Sequence, residues 1–245
     1  MIQVVVPLYG DYEKKYAPVR EALKTMRCRV TEVVDEHGEG FTATVNRGLK
    51  EALHLIRVQS HERKKRPEWC PWMDEHIWVL NQDAEPLPGA DTALLKRMEL
   101  SPKCGIAVSM QVHPEDEDFI TYGGSGPVIP GVHFTGHISE GQHLEPKMMG
   151  WANGASMLLR IEMLEEVGLL DENFINLASD SDLSYRARWA DWQVWYEPTS
   201  RVKHTLNFSA NPPDAMKLSA HMDVMRFQGK YNGELWHELT REVFD

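Results

Sequence analysis

Residues 77–86, IWVLNQDAEP, join a continuous apolar run to an abrupt polar end. Four apolar residues, Ile77 to Leu80, suit a strand buried on both faces, and Asn81, Gln82 and Asp83 then fall at its carboxyl end. The same pattern occurs twice upstream. Val4, Val5 and Val6 form a β-branched run, and Pro7, which cannot donate a ladder hydrogen bond, predicts its end. Val30, Val33 and Val34 lead to Asp35. Between these runs the apolar spacing changes from strand-like to helical. Tyr16, Val19, Leu23 and Met26 recur at intervals of three and four over residues 14–26, and Val45, Leu49, Ala52, Leu53 and Ile56 do so from Thr42, with Thr42 or Thr44 available as an N-cap.

The alternation continues downstream. A helix is expected over residues 91–100, a strand over 106–110, and an irregular region of β-hairpins and loops over 112–150. Further elements are a strand at 155–160, a helix at 162–167 closed by Gly168, a helix at 181–190, and a strand at 192–196 stopped by Pro198. Two amphipathic helices follow Pro213, broken near Tyr231, Asn232 and Gly233. Such alternation predicts an α/β fold whose mostly parallel central sheet is flanked by helices, with ligands at the carboxyl ends of the strands.

Composition limits the function classes. The chain has 245 residues, 42% of them apolar and 26% charged, which suits a globular protein with a substantial core. A formal net charge of -11 argues against duplex nucleic acid as a partner. The basic run Arg63, Lys64, Lys65 and Arg66 reads as a solvated loop. No window approaches the roughly 18 apolar residues of a transmembrane segment, and the first residues lack the basic region of a signal peptide. A cytoplasmic protein is expected, with Cys28, Cys70 and Cys104 as reduced thiols.

The chemistry-bearing residues sit at element ends. Asp83, held on a rigid strand, suits one ligand of a hard divalent ion whose remaining positions go to diphosphate oxygens and water. Asp180 and Asp182, in LASDSDLSYRAR, open a helix whose apolar side carries Leu183 and Ala187, and two acids there exceed what a cap needs. His204 ends the later strand region. Trp151 and Asn153 precede the acidic block, and Trp151 serves equally as a sugar-stacking ring or as a core anchor. His133, His137 and His143 offer a zinc-site alternative, without an HExxH motif or a helical face to align them.

In order and spacing, VVVPLYG, GFTATVNRG, WVLNQDAEP, GWANGASMLLRIEMLEEVGLLDENF and ASDSDLSYRARWADWQVWYEPTSRVKH resemble the motifs of family 2 glycosyltransferases of the GT-A fold, rhamnosyltransferase-like members above all. The resemblance covers residues 2–204. It implies a GT-A type nucleotide-sugar-binding fold over residues 1–210, with a helical C-terminal extension over 211–245 packed on it. It further implies a nucleotide-sugar donor, a glycan, lipid-linked or other hydroxyl acceptor, and transfer with inversion. Asp180 falls at the family's catalytic base, and Asp83 and His204 at ligands of a divalent metal, Mn2+ or Mg2+. Pro7, Asp35, Asn46 and Asn81 fall on the nucleotide side, and Trp151, Asn153 and Asp182 on the sugar side. Asn81 stands where the metal motif has a first Asp, and Ser179 where a Glu often precedes the base. These departures keep open an alternative, a catalytically degenerate GT-A fold that binds carbohydrate or acts as a scaffold.

Overall fold

The computed structural model describes residues 2–63, 76–126, 133–205 and 214–231. Lys64, Lys65, Arg66, Cys70 and the second C-terminal helix expected after Tyr231 lie outside these residues.

In chain order the elements are β1 (Ile2–Leu8), α1 (Tyr12–Lys24), β2 (Cys28–Val34), α2 (Phe41–Arg63), β3 (His76–Leu80), β4 (Glu85–Pro86), α3 (Ala90–Leu100), β5 (Cys104–His113) and β6 (Asp116–Tyr122). There follow β7 (Gly136–His137), a 3-10 turn, β8 (Lys147–Met148), β9 (Ser156–Arg160), α4 (Ile161–Val167), α5 (Ser179–Trp189), β10 (Gln193–Lys203) and α6 (Asp214–Lys230). One sheet runs in the order β2-β1-β3-β9-β5-β10-β4. Strands β2, β1, β3, β5 and β10 point one way, whereas β9 and β4 point the other. The sheet is therefore mostly parallel, as expected, and its helices cover both faces.

Alternate residues of the strands feed two cores, as a pleat of period two requires. Val5, Ile77, Val79, Ile106 and Val108 pack under α2, α4, α5 and α6. Val4, Val6, Trp78, Leu80 and Ala107 pack under α1 and α3. Gly48 allows α2 its closeness to the sheet, because a Cβ there would lie 2.3 Å from Val5 Cγ1.

Both proline stops expected from the sequence are corrected. β1 continues through Pro7 to Leu8, paired with β2 over its whole length, whereas its ladder to β3 ends at Val5. Pro7 thus lies where β1 is paired on one side only, and its missing donor need not break a ladder. β10 continues through Pro198, because residues 198–200 bulge out between the pairs Glu197↔Ser109 and Arg201↔Met110. A bulge tolerates proline and bends the strand, and this one lets β10 deliver His204 beside β5. The N-cap expected of Thr42 or Thr44 is also absent. Instead, Phe41 N donates to Asn176 Oδ1 at 3.3 Å and Thr42 N to Ile175 O at 3.1 Å. The start of α2 is thereby closed by the loop that leads into α5.

Helix α6 is tied to that same loop. Asp223, fully buried, accepts from the backbone N–H groups of Ile175 (2.9 Å), Asn176 (2.7 Å) and Leu177 (2.9 Å). Asn176 Nδ2 donates to Ser219 Oγ at 3.0 Å. At the end of α6, Lys230 Nζ lies 2.7 Å from Asp182 Oδ1 and 2.9 Å from Asp171 Oδ2, and Tyr231 Oη donates to Asp182 Oδ1 at 2.6 Å.

Candidate functional site

The carboxyl ends of β1, β2, β3, β5 and β10 meet the amino ends of β9 and α5 at one edge of the sheet. A doubly covered sheet leaves its strand ends as the one place where polar groups from several elements converge.

Asp180 lies in the first turn of α5, just after Ala178, whose φ of 64° turns the chain sharply into the helix. Its Oδ2 accepts from Gly154 N at 2.8 Å and its Oδ1 from Ser181 N at 2.7 Å. Desolvation pushes the Asp180 carboxyl above the usual range, and the Gly154 and Ser181 donors only partly offset it. An acid so placed is more basic than an exposed aspartate, which suits proton abstraction. Ser179, where the family pattern often has Glu, is buried.

Asp83 and His204 meet at the ends of β3 and β10. His204 Nε2 lies 3.4 Å from Asp83 Oδ1. Burial alone would raise the Asp83 carboxyl, but His204 and Lys15 outweigh it and hold it below its ordinary value. Asp83 Oδ1 and Asn81 Oδ1 are both shielded from solvent without a hydrogen-bond partner. Buried oxygens without a close donor are costly, and beyond the 3.4 Å ion-pair contact of Asp83 with His204 a hard divalent ion would satisfy them. The facing carboxylate and imidazole therefore fit two ligands of a divalent cation, and Asn81, two residues before Asp83, carries an uncommitted amide oxygen. Tyr9, beside Asp83, has its hydroxyl pushed up to about 12 by burial and by that carboxylate.

A polar chain joins the two centres. Asn153 Oδ1 accepts from Ala155 N at 3.0 Å and from Gln111 Nε2 at 2.9 Å, and Gln111 Oε1 lies 2.8 Å from His204 Nδ1. Asn153 is adjacent to Gly154, the donor to Asp180. Asp180, Gly154, Asn153, Gln111, His204 and Asp83 thus form one connected set. The sequence does not single out Gln111, because the apolar run that predicts β5 ends at Met110. A polar residue just past an apolar strand, as at Asn81 to Asp83, was the available signal. Gln82, fully buried, bonds Tyr9 N at 2.9 Å and Tyr9 O at 3.2 Å and buttresses the ends of β1 and β3.

The other expected residues divide. Asp35 ends β2 at this edge and is half-buried, its oxygens accepting from Glu39 N and Gly40 N at 2.8 and 3.0 Å, which folds the following turn. Pro7 is buried within β1. Three residues are corrected. Asn46 is 2% exposed and spends its amide on Leu170 N, Leu170 O and Glu172 Oε1, so it latches α2 to the 170–172 segment and has no free group for a nucleotide. Trp151 is 3% exposed with its ring edge-on to Tyr122, which makes it the core anchor and leaves no open face for a sugar. Asp182 is fully buried, its carboxylate taken by Arg186 Nε (2.8 Å), Lys230 and Tyr231, so it is a structural ion pair and not a sugar contact.

Elsewhere, among the described residues, Asp116, Asp118 and His137 offer three ligand atoms within 4.8 Å of one another on the β6–β7 hairpin. His137 is the one member of the expected histidine trio in such a group. His143 instead stacks on Phe134 at 4.9 Å. Among the described residues, no helix is long and apolar enough to cross a membrane.

No family model matches the chain. An N-acetylglucosaminyl-diphospho-decaprenol L-rhamnosyltransferase of Mycobacterium tuberculosis is 28% identical over 165 residues, which is 62% of this chain and 53% of that protein. The same-named protein of a second strain matches equally. The chain thus spans about half the length of the curated relatives it matches. Among solved structures, GalNAc-T7 with UDP, GalNAc and Mn2+ superposes on 100% of this chain and 50% of its own, with a TM-score of 0.62 at 12% identity. S. aureus TarS 1-349 superposes on 99% of this chain and 68% of its own, with a TM-score of 0.53 at 9% identity. At such identities structural likeness speaks for the fold and not for the reaction. The chain has the GT-A glycosyltransferase fold, and in sequence it is similar to the rhamnosyltransferase-like members of that group.

Proposed function

We propose that the protein is an inverting glycosyltransferase that moves a sugar from a nucleoside-diphosphate donor to an acceptor hydroxyl. The observation that carries this reading is the hydrogen-bonded connection between Asp180 and the Asp83–His204 pair through the adjacent residues Asn153 and Gly154. One end of it carries a basic carboxylate and the other a donor set suited to a cation beside a diphosphate.

In the reaction so read, the acceptor oxygen attacks the anomeric carbon as the bond to the diphosphate oxygen breaks, and Asp180 takes the hydroxyl proton. The backbone N–H groups of Gly154 and Ser181 fix the orientation of that carboxylate. Asp83, His204 and the Asn81 amide oxygen would hold Mn2+ or Mg2+, which when bound supplies positive charge for the departing diphosphate. Asp35 and Asn81, just past the ends of β2 and β3, would meet the nucleoside. The acceptor class is taken from the relative, whose name carries a diphosphate-lipid-linked sugar. A cytoplasmic location is in keeping with the free thiols of Cys28 and Cys104.

The test is a thermal-shift screen of UDP, GDP, dTDP and CDP, each with and without Mn2+. One nucleotide should raise the melting temperature only with metal, by mass action on the folded state. Stabilisation by none of them would refute the donor reading and favour a carbohydrate-binding or scaffold role.

A further inference from the structure

Imidazole can ligate a cation only through a nitrogen that carries no proton, so the tautomer of His204 decides whether Nε2 can serve. Partners fix the hydrogen positions, and a backbone N–H is a donor that cannot be reversed. The backbone N–H of Ala155 donates to the side chain of Asn153 at 3.0 Å, so the Asn153 atom there is its oxygen. That same oxygen is 2.9 Å from Gln111, so the Gln111 atom facing it is its nitrogen. Gln111 therefore turns its oxygen toward His204, 2.8 Å from Nδ1, and an oxygen without a hydrogen requires Nδ1 to carry one. In the neutral ring the remaining lone pair is then on Nε2, the atom 3.4 Å from Asp83 Oδ1.

Both side chains sit in a rigid frame. Gln111 is fully buried and His204 is 7% exposed. The His204 backbone is pinned on both sides, its N–H donating to Val112 O at 2.9 Å and its carbonyl accepting from Thr121 Oγ1 at 2.9 Å. A proton on Nε2 would pair with the Asp83 carboxylate; without it the lone pair and the carboxylate oxygen face each other, and a shared cation reconciles them.

We infer that Asn153 and Gln111 act as positioning residues, an amide relay that locks His204 as the Nδ1–H tautomer and presents its Nε2 lone pair to the space beside Asp83. The inference rests on the reading of Asp83 and His204 as a cation pair, but the tautomer lock itself needs no metal. It also reassigns Asn153, whose side-chain oxygen is already committed to Ala155 and Gln111.

Two measurements test it. In the metal-free protein at alkaline pH, long-range 1H–15N correlation of labelled histidine should show His204 with a pyrrole-like Nδ1 and a pyridine-like Nε2; a proton on Nε2 overturns the relay. Mn2+ affinity, read from the free-ion signal in electron paramagnetic resonance, should fall about 10- to 100-fold in Gln111→Leu, the usual loss on removing such an outer partner. It should recover to within a few-fold in Gln111→Glu, whose carboxylate also accepts from Nδ1–H. Unchanged affinity in Gln111→Leu overturns the relay. A wild-type protein that shows the Nδ1–H tautomer but binds no Mn2+ upholds the lock and removes the cation from the proposed function. Should Gln111→Leu fail to fold, the wild-type spectrum still decides.

Discussion

Replacing Asp223 by asparagine isolates the contribution of α6 to the Asp180 end of the sheet. The carboxylate is fully buried and accepts three backbone hydrogen bonds, one on Oδ1 from Ile175 and two on Oδ2 from Asn176 and Leu177. Asparagine has one accepting oxygen. Turned toward Asn176 and Leu177 it keeps two bonds without their charge assistance, and its amino group then opposes the Ile175 N–H. Losing a charged acceptor costs about 1.5–3 kcal/mol, and weakening the other two adds about 0.5 kcal/mol each, or roughly 3 kcal/mol in total. For a domain of this size that is a fall in Tm of about 6–12 °C. Asp223→Ala strands all three donors and approaches the whole margin of about 5–15 kcal/mol that keeps a domain folded, so asparagine is the usable probe. Urea melts followed by initial-rate measurements should show the lost stability together with a lower kcat. The donor KM should change less than kcat, because the hydrogen bonds of Asp223 go to residues 175–177 and none goes to Asn81 or Asp83. Asp214→Asn, at an exposed site in the first turn of the same helix, should alter neither. Full turnover and a Tm within about 2 °C of wild type in Asp223→Asn would refute the idea that α6 holds this loop in place.

Asp180→Asn should lower transfer by about 100- to 10,000-fold while nucleotide binding survives; wild-type rates in this variant would remove Asp180 from the reaction. Because burial raises the Asp180 carboxyl, its protonated form is favoured by folding. Its contribution to stability is therefore full at low pH and is lost as pH rises through the raised value, whereas turnover should rise over that same interval. An acid limb at the ordinary carboxylate position would contradict this. Gly154→Ala would place a Cβ 3.2 Å from Asp180 Oδ2 and 3.1 Å from Phe41 Cζ, so the carboxylate must shift by a few tenths of an ångström. About a tenfold drop in kcat with an unaltered melt is expected from that displacement, and steady-state kinetics would reveal it. Asp171, held down to about 2 by Lys230 and Asn173 against the opposing effect of burial, adds stability above its ordinary value of 3.8 that is lost as pH falls toward 2. Lys230→Met should therefore raise the midpoint of acid unfolding followed by circular dichroism.

The sheet is legible because central strands such as β1 and β3 are buried on both faces, so that the runs Val4 to Val6 and Ile77 to Leu80 need no partner to be recognised. Proline is a weaker stop here than its missing donor suggests. The rule that it ends a strand holds for a strand paired on both sides, and Pro7 and Pro198 occupy a one-sided ladder and a bulge. Asp180 and Asp182 could have been separated in advance. At 3.6 residues per turn they lie about 200° apart on the helix, so an Asp180 facing the cleft puts Asp182 against the protein, where Arg186, Lys230 and Tyr231 meet it. Asn46 and Trp151 matched the family pattern in position, but the pattern is silent on whether a side chain is consumed by packing. Gln111 and Asp223 carry no local signature. Their meaning lies in partners far away in sequence, 42 residues from Gln111 to Asn153 and 48 from Ile175 to Asp223, and no periodicity reports such contacts.

Synthesis is vectorial, and the position of α6 gives that fact a consequence. The strands β1, β2 and β3 are made early and can begin to bury their valines while translation continues at about 5–20 residues per second. The reactive edge has to wait. β10 inserts between β5 and β4, and the loop before Asp180 is fastened only when Asp223 follows. A nascent chain would therefore pass through a stage with much of its hydrophobic framework assembled and no competent site, so that chemistry is withheld until the scaffold around it is complete.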